Sequence, residues 1–122
     1  MLTKLLTPLT HVAYAMLRTL AGLMFAFHGV QKLFGVLTDQ RAAFGTQKWI
    51  GGVIELLCGL AIAANLGTVW AAFLASGTMA VAYVQFHWKG ALGAQFLPGV
   101  NKGELAAVYA LLFFYIACRG RK

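Results

Sequence analysis

The chain is 122 residues long and 61% apolar, with ten basic and three acidic side chains and a formal net charge of +7. An ordinary soluble domain is about 45–50% apolar and about a quarter charged, and a chain this short needs polar residues to cover its large surface. The composition therefore excludes a soluble monomer, a disordered chain and a disulfide-stapled scaffold. Basic residues cluster only in the tail Arg119-Gly-Arg121-Lys122, so no nucleic-acid face is expected and the lipid bilayer is the expected partner.

A crossing of roughly 30 Å of hydrocarbon takes about 20 residues of helix. Four stretches approach that length, at about 12–31, 49–65, 66–87 and 102–118. The first is interrupted by Arg18, Thr19 and His28, the second carries Glu55 alone, and the third has no charge before His87. The fourth is short and fits a locally thinned bilayer. The expected fold is an all-α membrane protein, a single four-transmembrane-helix bundle over residues 1–122 with up-down-up-down topology. Gln31 to Lys48 and His87 to Gly103 read as loops, the second punctuated by Gly90, Gly93, Pro98 and Gly99. Asn65-Leu66-Gly67-Thr68 reads as a tight turn that makes the second and third helices antiparallel neighbours.

The first apolar segment is too long for a signal-peptide core and is followed by no small-residue cleavage site, so it reads as an uncleaved anchor. An even number of crossings puts both termini and the Asn65 turn on one face, A, and the two longer loops on the other, B. Four Lys or Arg fall to face A (Lys4, Arg119, Arg121, Lys122) and five to face B (Lys32, Arg41, Lys48, Lys89, Lys102). Positive-inside counting does not separate these; the basic tail favours termini in the cytoplasm.

Charges inside a span cost at least about 2.5–3.5 kcal/mol each, which singles out Arg18 and Glu55. At about 1.5 Å of rise per residue, Glu55 lies roughly 9 Å below face B, while Arg18 enters from face A. That depth gap disfavours an Arg18–Glu55 pair and makes Lys32 the natural counter-ion. His28, Asn101 and Glu104 also fall near face B, so a polar cluster of His28, Lys32, Glu55, Asn101 and Glu104 is expected there. Arg18, Gly22, Phe25, Gly29 and Lys32 share one helical face. Gly51, Glu55 and Gly59 form a small-residue stripe on the second helix, and Ala72, Ser76 and Ala80 one on the third, as close helix contact in lipid requires.

Structural readings stand beside these. Arg18 can snorkel to face A or hydrogen-bond carbonyls, Lys32 can be an interfacial anchor, and Asn101 with Glu104 can simply cap the last helix. His87 with Trp88 and Lys89 reads as an interfacial belt. Cys58 and Cys118 lie at different depths and form no disulfide. No His/Cys/carboxylate set has metal spacing, and no intrinsic cofactor is expected.

Three segments resemble the DoxX family of small four-helix membrane proteins. Residues 18–35 (RTLAGLMFAFHGVQKLFG) look like its first-helix signature, Gly52 to Leu60 (GVIELLCGL) like its glycine-flanked glutamate, and Asn101 to Leu105 (NKGEL) like its Asn-Gly-Gly-Glu segment, with Lys102 where the family has glycine. The resemblance covers about residues 12–119. It implies a multi-pass protein of the prokaryotic cytoplasmic (inner) membrane, with Arg18, His28, Lys32, Glu55, Asn101 and Glu104 as the matching polar residues. It also implies association with membrane oxidoreductase complexes, the family being named from a subunit linked to thiosulfate:quinone oxidation.

The expected function is that of a membrane subunit of a respiratory or quinone-linked redox assembly, with a quinone head group received near face B and the redox centre supplied by a partner. Two alternatives remain at this level. One is a structural subunit packing on a larger complex or on further copies of itself. The other is a small proton-coupled transporter, although the membrane glutamate of such exporters lies in the first helix, where this chain has Arg18.

Overall fold

The computed structural model describes residues 1–37, 41–84 and 104–120, and of Glu104 the backbone alone. These residues are helical throughout apart from turns and one loop. A short helix α1 (Leu2–Leu6) and a 3-10 turn (Thr7–Leu9) lead into α2 (Thr10–Phe34), followed by α3 (Gln47–Ala64), α4 (Thr68–Ala82) and α5 (Glu104–Arg119).

Local chemistry sets the boundaries. Pro8 sits in the 3-10 turn, where a residue without an N–H interrupts the α-helical ladder at least cost. Gly35 ends α2 in the left-handed region, φ 70°, where a side chain would be strained. Thr46 caps α3, its hydroxyl accepting from the Trp49 N–H at 3.2 Å. At the other end Asn65 adopts φ 60°, and the Asn65 and Leu66 N–H groups turn back to the Ile62 and Ala61 carbonyls. The Thr68 hydroxyl then donates to Asn65 Oδ1 at 2.6 Å. The tight turn expected at residues 65–68 is present.

α2 and α3 pack antiparallel and almost backbone to backbone. A Cβ on Gly22 would sit 2.7 Å from both the Ala63 nitrogen and the Gly59 oxygen; one on Gly29 would sit 2.6 Å from the Gly52 oxygen and the Leu56 nitrogen. Gly22 faces Gly59, and Gly29 faces Gly52. Each helix thus presents two glycines a heptad apart, the repeat that keeps one seam against a neighbour. In lipid, where burial of apolar area gives helices no mutual attraction, this close approach supplies the packing. The expected face on α2 is confirmed, while on α3 the glycine at the seam is Gly52, since nothing approaches Gly51 within 4 Å.

α4 packs against α5, where the Ser76 hydroxyl donates to the Ala110 carbonyl at 2.6 Å. The buried stripe of α4 runs through Thr68, Ala72, Ala75, Ser76 and Met79. Ala80, expected on that stripe, is exposed: four residues advance the helix by 400°, so the row from Ala72 rotates off the contact by its third member. Between the two helix pairs lie Phe25, Phe113, Ile62 and Ile116, all buried. Phe25 meets Phe113 at 4.8 Å and Tyr109 at 5.6 Å between ring centroids. At the opposite end, the Tyr14 hydroxyl donates to the Gly120 carbonyl at 2.8 Å, and Arg119 lies 4.2 Å over the Tyr14 ring.

Leu2–Phe34 and Gln47–Ala64 are long and apolar enough to cross a membrane; Thr68–Ala82 and Leu105–Arg119 are shorter apolar helices. Large apolar side chains are exposed along every one of the four principal helices. A surface of that kind suits lipid and not water.

Candidate functional site

The α2–α3 seam brings Lys32 to Glu55. Lys32 Nζ donates to Glu55 Oε2 at 2.5 Å, with the lysine side chain 30% exposed and the glutamate 2%. Helix geometry accounts for the meeting. Side chains lean toward the N-terminus of their own helix, so in an antiparallel pair Lys32 leans inward from the end of α2 while Glu55 leans outward from the middle of α3. A long flexible ammonium stem covers the remaining separation, a little under the roughly 9 Å that six residues of α3 span. Gly52 keeps the path open, since its nearest neighbour is the Lys32 Cβ, 2.9 Å from where a Cβ of its own would be.

The ion pair forms one wall of a groove of about 460 Å³ between α3 and α4. Ile50, Ile54, Phe73 and Leu74 make the apolar sides, and Lys48 stands at its rim. Glu55 Oε1, on the same carboxylate, is buried and makes no hydrogen bond among the described residues, and the same is true of the Tyr109 hydroxyl.

Arg18 takes no part in this site. It is half-buried, and its guanidinium donates to the Ile62 carbonyl at 2.5 Å and the Ala63 carbonyl at 3.0 Å. These are last-turn carbonyls of α3, carrying the negative end of the helix dipole; the Ile62 oxygen also accepts from the Asn65 N–H. The buried charge expected at Arg18 is therefore only partly enclosed, and it is compensated by backbone. Arg41 does the same for α2, its Nε donating to the Leu33 carbonyl at 3.0 Å while the Ala42 N–H donates to the Lys32 carbonyl at 2.7 Å.

His28 is half-buried and meets the Tyr109 ring edge-on at 6.3 Å. It lines no part of the groove. The structure thus unites Lys32 with Glu55 and sets His28 apart, against Tyr109 of α5. Asn101, the Glu104 side chain and His87 lie outside the described residues. Tyr109 was not singled out from the sequence. The criterion applied there was charge within a span, and a phenol in the otherwise apolar run AAVYALL escapes it; extended to hydroxyl-bearing side chains, the same cost argument would have found it.

With this geometry in place, the chain can be compared with known proteins. The DoxX family model matches residues 13–88, the segment that holds the α2–α3 seam and both partners of the ion pair. The chain belongs to the DoxX family. It is thus a small membrane protein, and DoxX membership and the apolar helices agree on that point. A relative from Haemophilus influenzae, described as an uncharacterized protein, is 37% identical over 110 residues, 87% of this chain and 81% of the relative. No solved structure matches the chain.

Proposed function

We propose that this DoxX protein is a membrane subunit of a redox assembly and receives a quinone head group in the groove between α3 and α4. The observation that carries the reading is the buried Glu55–Lys32 pair on the wall of an otherwise apolar groove. A quinone asks for that combination: a carbonyl needs one or two hydrogen-bond donors, and its apolar tail needs a greasy channel. Lys32 Nζ, 30% exposed and with donors to spare beyond its bond to Glu55, supplies the first. Ile54, Phe73 and Leu74 supply the second. Glu55 accepts or returns the proton that accompanies reduction or oxidation of the ring. The electrons come from a redox centre on a partner protein.

In this reading the four principal helices are four spans, up-down-up-down, in the prokaryotic cytoplasmic membrane with both termini in the cytoplasm. The groove then opens toward the bilayer near the face that carries Lys32 and Lys48, which gives a lipid-dissolved quinone lateral access. The test is quinone-dependent turnover of native membranes, paired with equilibrium binding of decyl-ubiquinone to the purified chain. Glu55→Gln and Lys32→Met should abolish the first and weaken the second by about tenfold or more. Wild-type turnover and binding in both variants would overturn the reading.

A second reading, a structural subunit of a larger complex, rests on the outer face of α4. Trp70 is 80% and Phe73 60% exposed there, and large aromatics are what helix interfaces with partners select. Extraction in mild detergent and native mass spectrometry decide it: a stoichiometric partner lost in Trp70→Ala supports this reading, and a chain that runs alone excludes it.

A further inference from the structure

The groove explains one oxygen of Glu55 and leaves the other. Oε2 is held by Lys32, while Oε1 and the Tyr109 hydroxyl are both buried and lack a hydrogen-bond partner among the described residues. Glu55 is 2% and Tyr109 5% exposed. Buried polar atoms left unpaired are costly, more so on a charged group, and native structures contain few of them. Two such atoms that complement each other as acceptor and donor point to a shared partner.

The helix register puts them at one depth. Gly22 against Gly59 and Gly29 against Gly52 bring Phe25 and Ala26 level with Glu55, and the Phe25 ring packs on Tyr109 at 5.6 Å. The Ser76–Ala110 hydrogen bond brings the residue after Tyr109 to the middle of α4, and through the Asn65 turn the middle of α4 lies opposite the middle of α3. Tyr109 is held by its stack on Phe113, with centroids 5.3 Å apart and ring planes 8° apart, and by the His28 edge. The ring is therefore fixed and its hydroxyl directed by packing alone.

We propose that a single bound water joins the Tyr109 phenol to Glu55 Oε1, making Tyr109 the positioning residue for the Glu55 carboxylate. The phenol donates to the water and the water donates to Oε1, so both orphaned atoms are satisfied at once and the water has the two or more polar partners that a buried water needs. Because Lys32 holds Oε2, Oε1 is the oxygen left for the water, and the hydrogen bond it accepts fixes the orientation of the carboxylate. The inference extends the proposed redox role by naming the inner side of the same carboxylate, but the water site itself requires no quinone.

Infrared spectroscopy of the quinone-free protein tests it separately from turnover. The band lost in Glu55→Gln marks the Glu55 carboxyl group, and the C–O band lost in Tyr109→Phe marks the phenol. A shared water predicts reciprocal effects: Tyr109→Phe shifts the Glu55 band, and Glu55→Gln shifts the Tyr109 band. Phenylalanine keeps the stack on Phe113, so a tyrosine serving only to pack would leave the Glu55 band in place, and that result overturns the proposal. Should Tyr109→Phe fail to fold, the wild type and Glu55→Gln decide between them: exchange of the wild type into H2-18O must shift a sharp O–H band that is absent from Glu55→Gln, and its absence from the wild type overturns the proposal equally. Reciprocal band shifts with unchanged quinone turnover in Glu55→Gln would keep the water and remove the quinone.

Discussion

Removing Lys32 and removing Glu55 should not cost the same. Lys32→Met keeps the length of the side chain and deletes its charge, leaving a carboxylate that is 2% exposed and has no other partner among the described residues. Stripping one partner from a buried pair costs about 3–5 kcal/mol. The lysine end of this pair is 30% exposed, so water and head groups reach it and the low end, about 3 kcal/mol, applies. Glu55→Gln removes the buried charge itself. The amide oxygen still accepts from Lys32, and the ammonium can swing outward along its exposed path, so about 1 kcal/mol is lost, the value of an ordinary hydrogen bond. The double variant has neither the orphaned charge nor the stranded lysine. It should recover about 2 kcal/mol relative to the sum of the singles, within the coupling range of side chains in direct contact. Reversible unfolding in mixed micelles, read by helical circular dichroism for the wild type and three variants, gives the four corners of the cycle. Equal losses in the two single variants, or strict additivity in the double, would refute the argument that Glu55 depends on Lys32 and not the reverse.

The remaining expectations concern the frame around that pair. Gly59→Ala places a Cβ 2.5 Å from the Gly22 oxygen and the Ala26 nitrogen; backbone cannot move aside cheaply, so about 2 kcal/mol of stability should be lost. The identical change at Gly77, inside α4 with nothing within 4 Å, should cost no stability in the same unfolding assay and gain up to about 1 kcal/mol. Arg18→Ala frees the Ile62 and Ala63 carbonyls and should accelerate amide exchange at Asn65 and Leu66 roughly tenfold, the equivalent of about 1.4 kcal/mol, with little effect on exchange around Glu55. Cys118 is exposed and Cys58 buried, so an impermeant maleimide should modify the first and spare the second. In sealed vesicles, a Lys48→Cys variant should react from the side opposite Cys118 if the four-span arrangement holds; labelling of both from one side would exclude it.

How much of this was legible in the sequence depended on the kind of interaction. Lys32 could be paired with Glu55 beforehand because depth and helical angle are both linear functions of position, and a long lysine tolerates the error in each. The seam of α3 was legible only to within a residue. From Glu55, Gly51 lies 40° to one side and Gly52 60° to the other, so both lie near it, and which of them meets α2 is decided by Gly59, which is a heptad from Gly52 and so within about 20° of it on the helix. The matching heptad Gly22 and Gly29 on α2 completes the choice, and it is a property of the pair of helices that no single helix reveals. Arg18 was legible as an uncommon charge but not as a cap, because its partners are carbonyls, which every residue has. His28 looked like a neighbour of Lys32 in depth, yet it sits roughly 80° round the helix from the centre of the face that carries Lys32 and meets α5 instead.

The distribution of charge around α2 and α3 separates supporting cations from the functional candidate. Arg18 and Arg41 are both spent on carbonyls at helix C-termini, where a guanidinium relieves unpaired acceptors and the helix dipole together. Those two cations need no acidic partner, and none meets them among the described residues. Lys32 also stands in the last turn of a helix, where carbonyls were within reach, but its ammonium extends inward to a carboxylate instead. Glu55 is what that choice requires, and no backbone group needs a carboxylate at mid-helix. A glutamine there would keep a hydrogen bond to Lys32 without the cost of a charge in lipid. The structure therefore carries an acid that its packing does not call for, one oxygen held by a lysine at a groove and the other buried without a hydrogen-bond partner among the described residues. That arrangement is costly as a support and suited to a group that must gain and lose a proton.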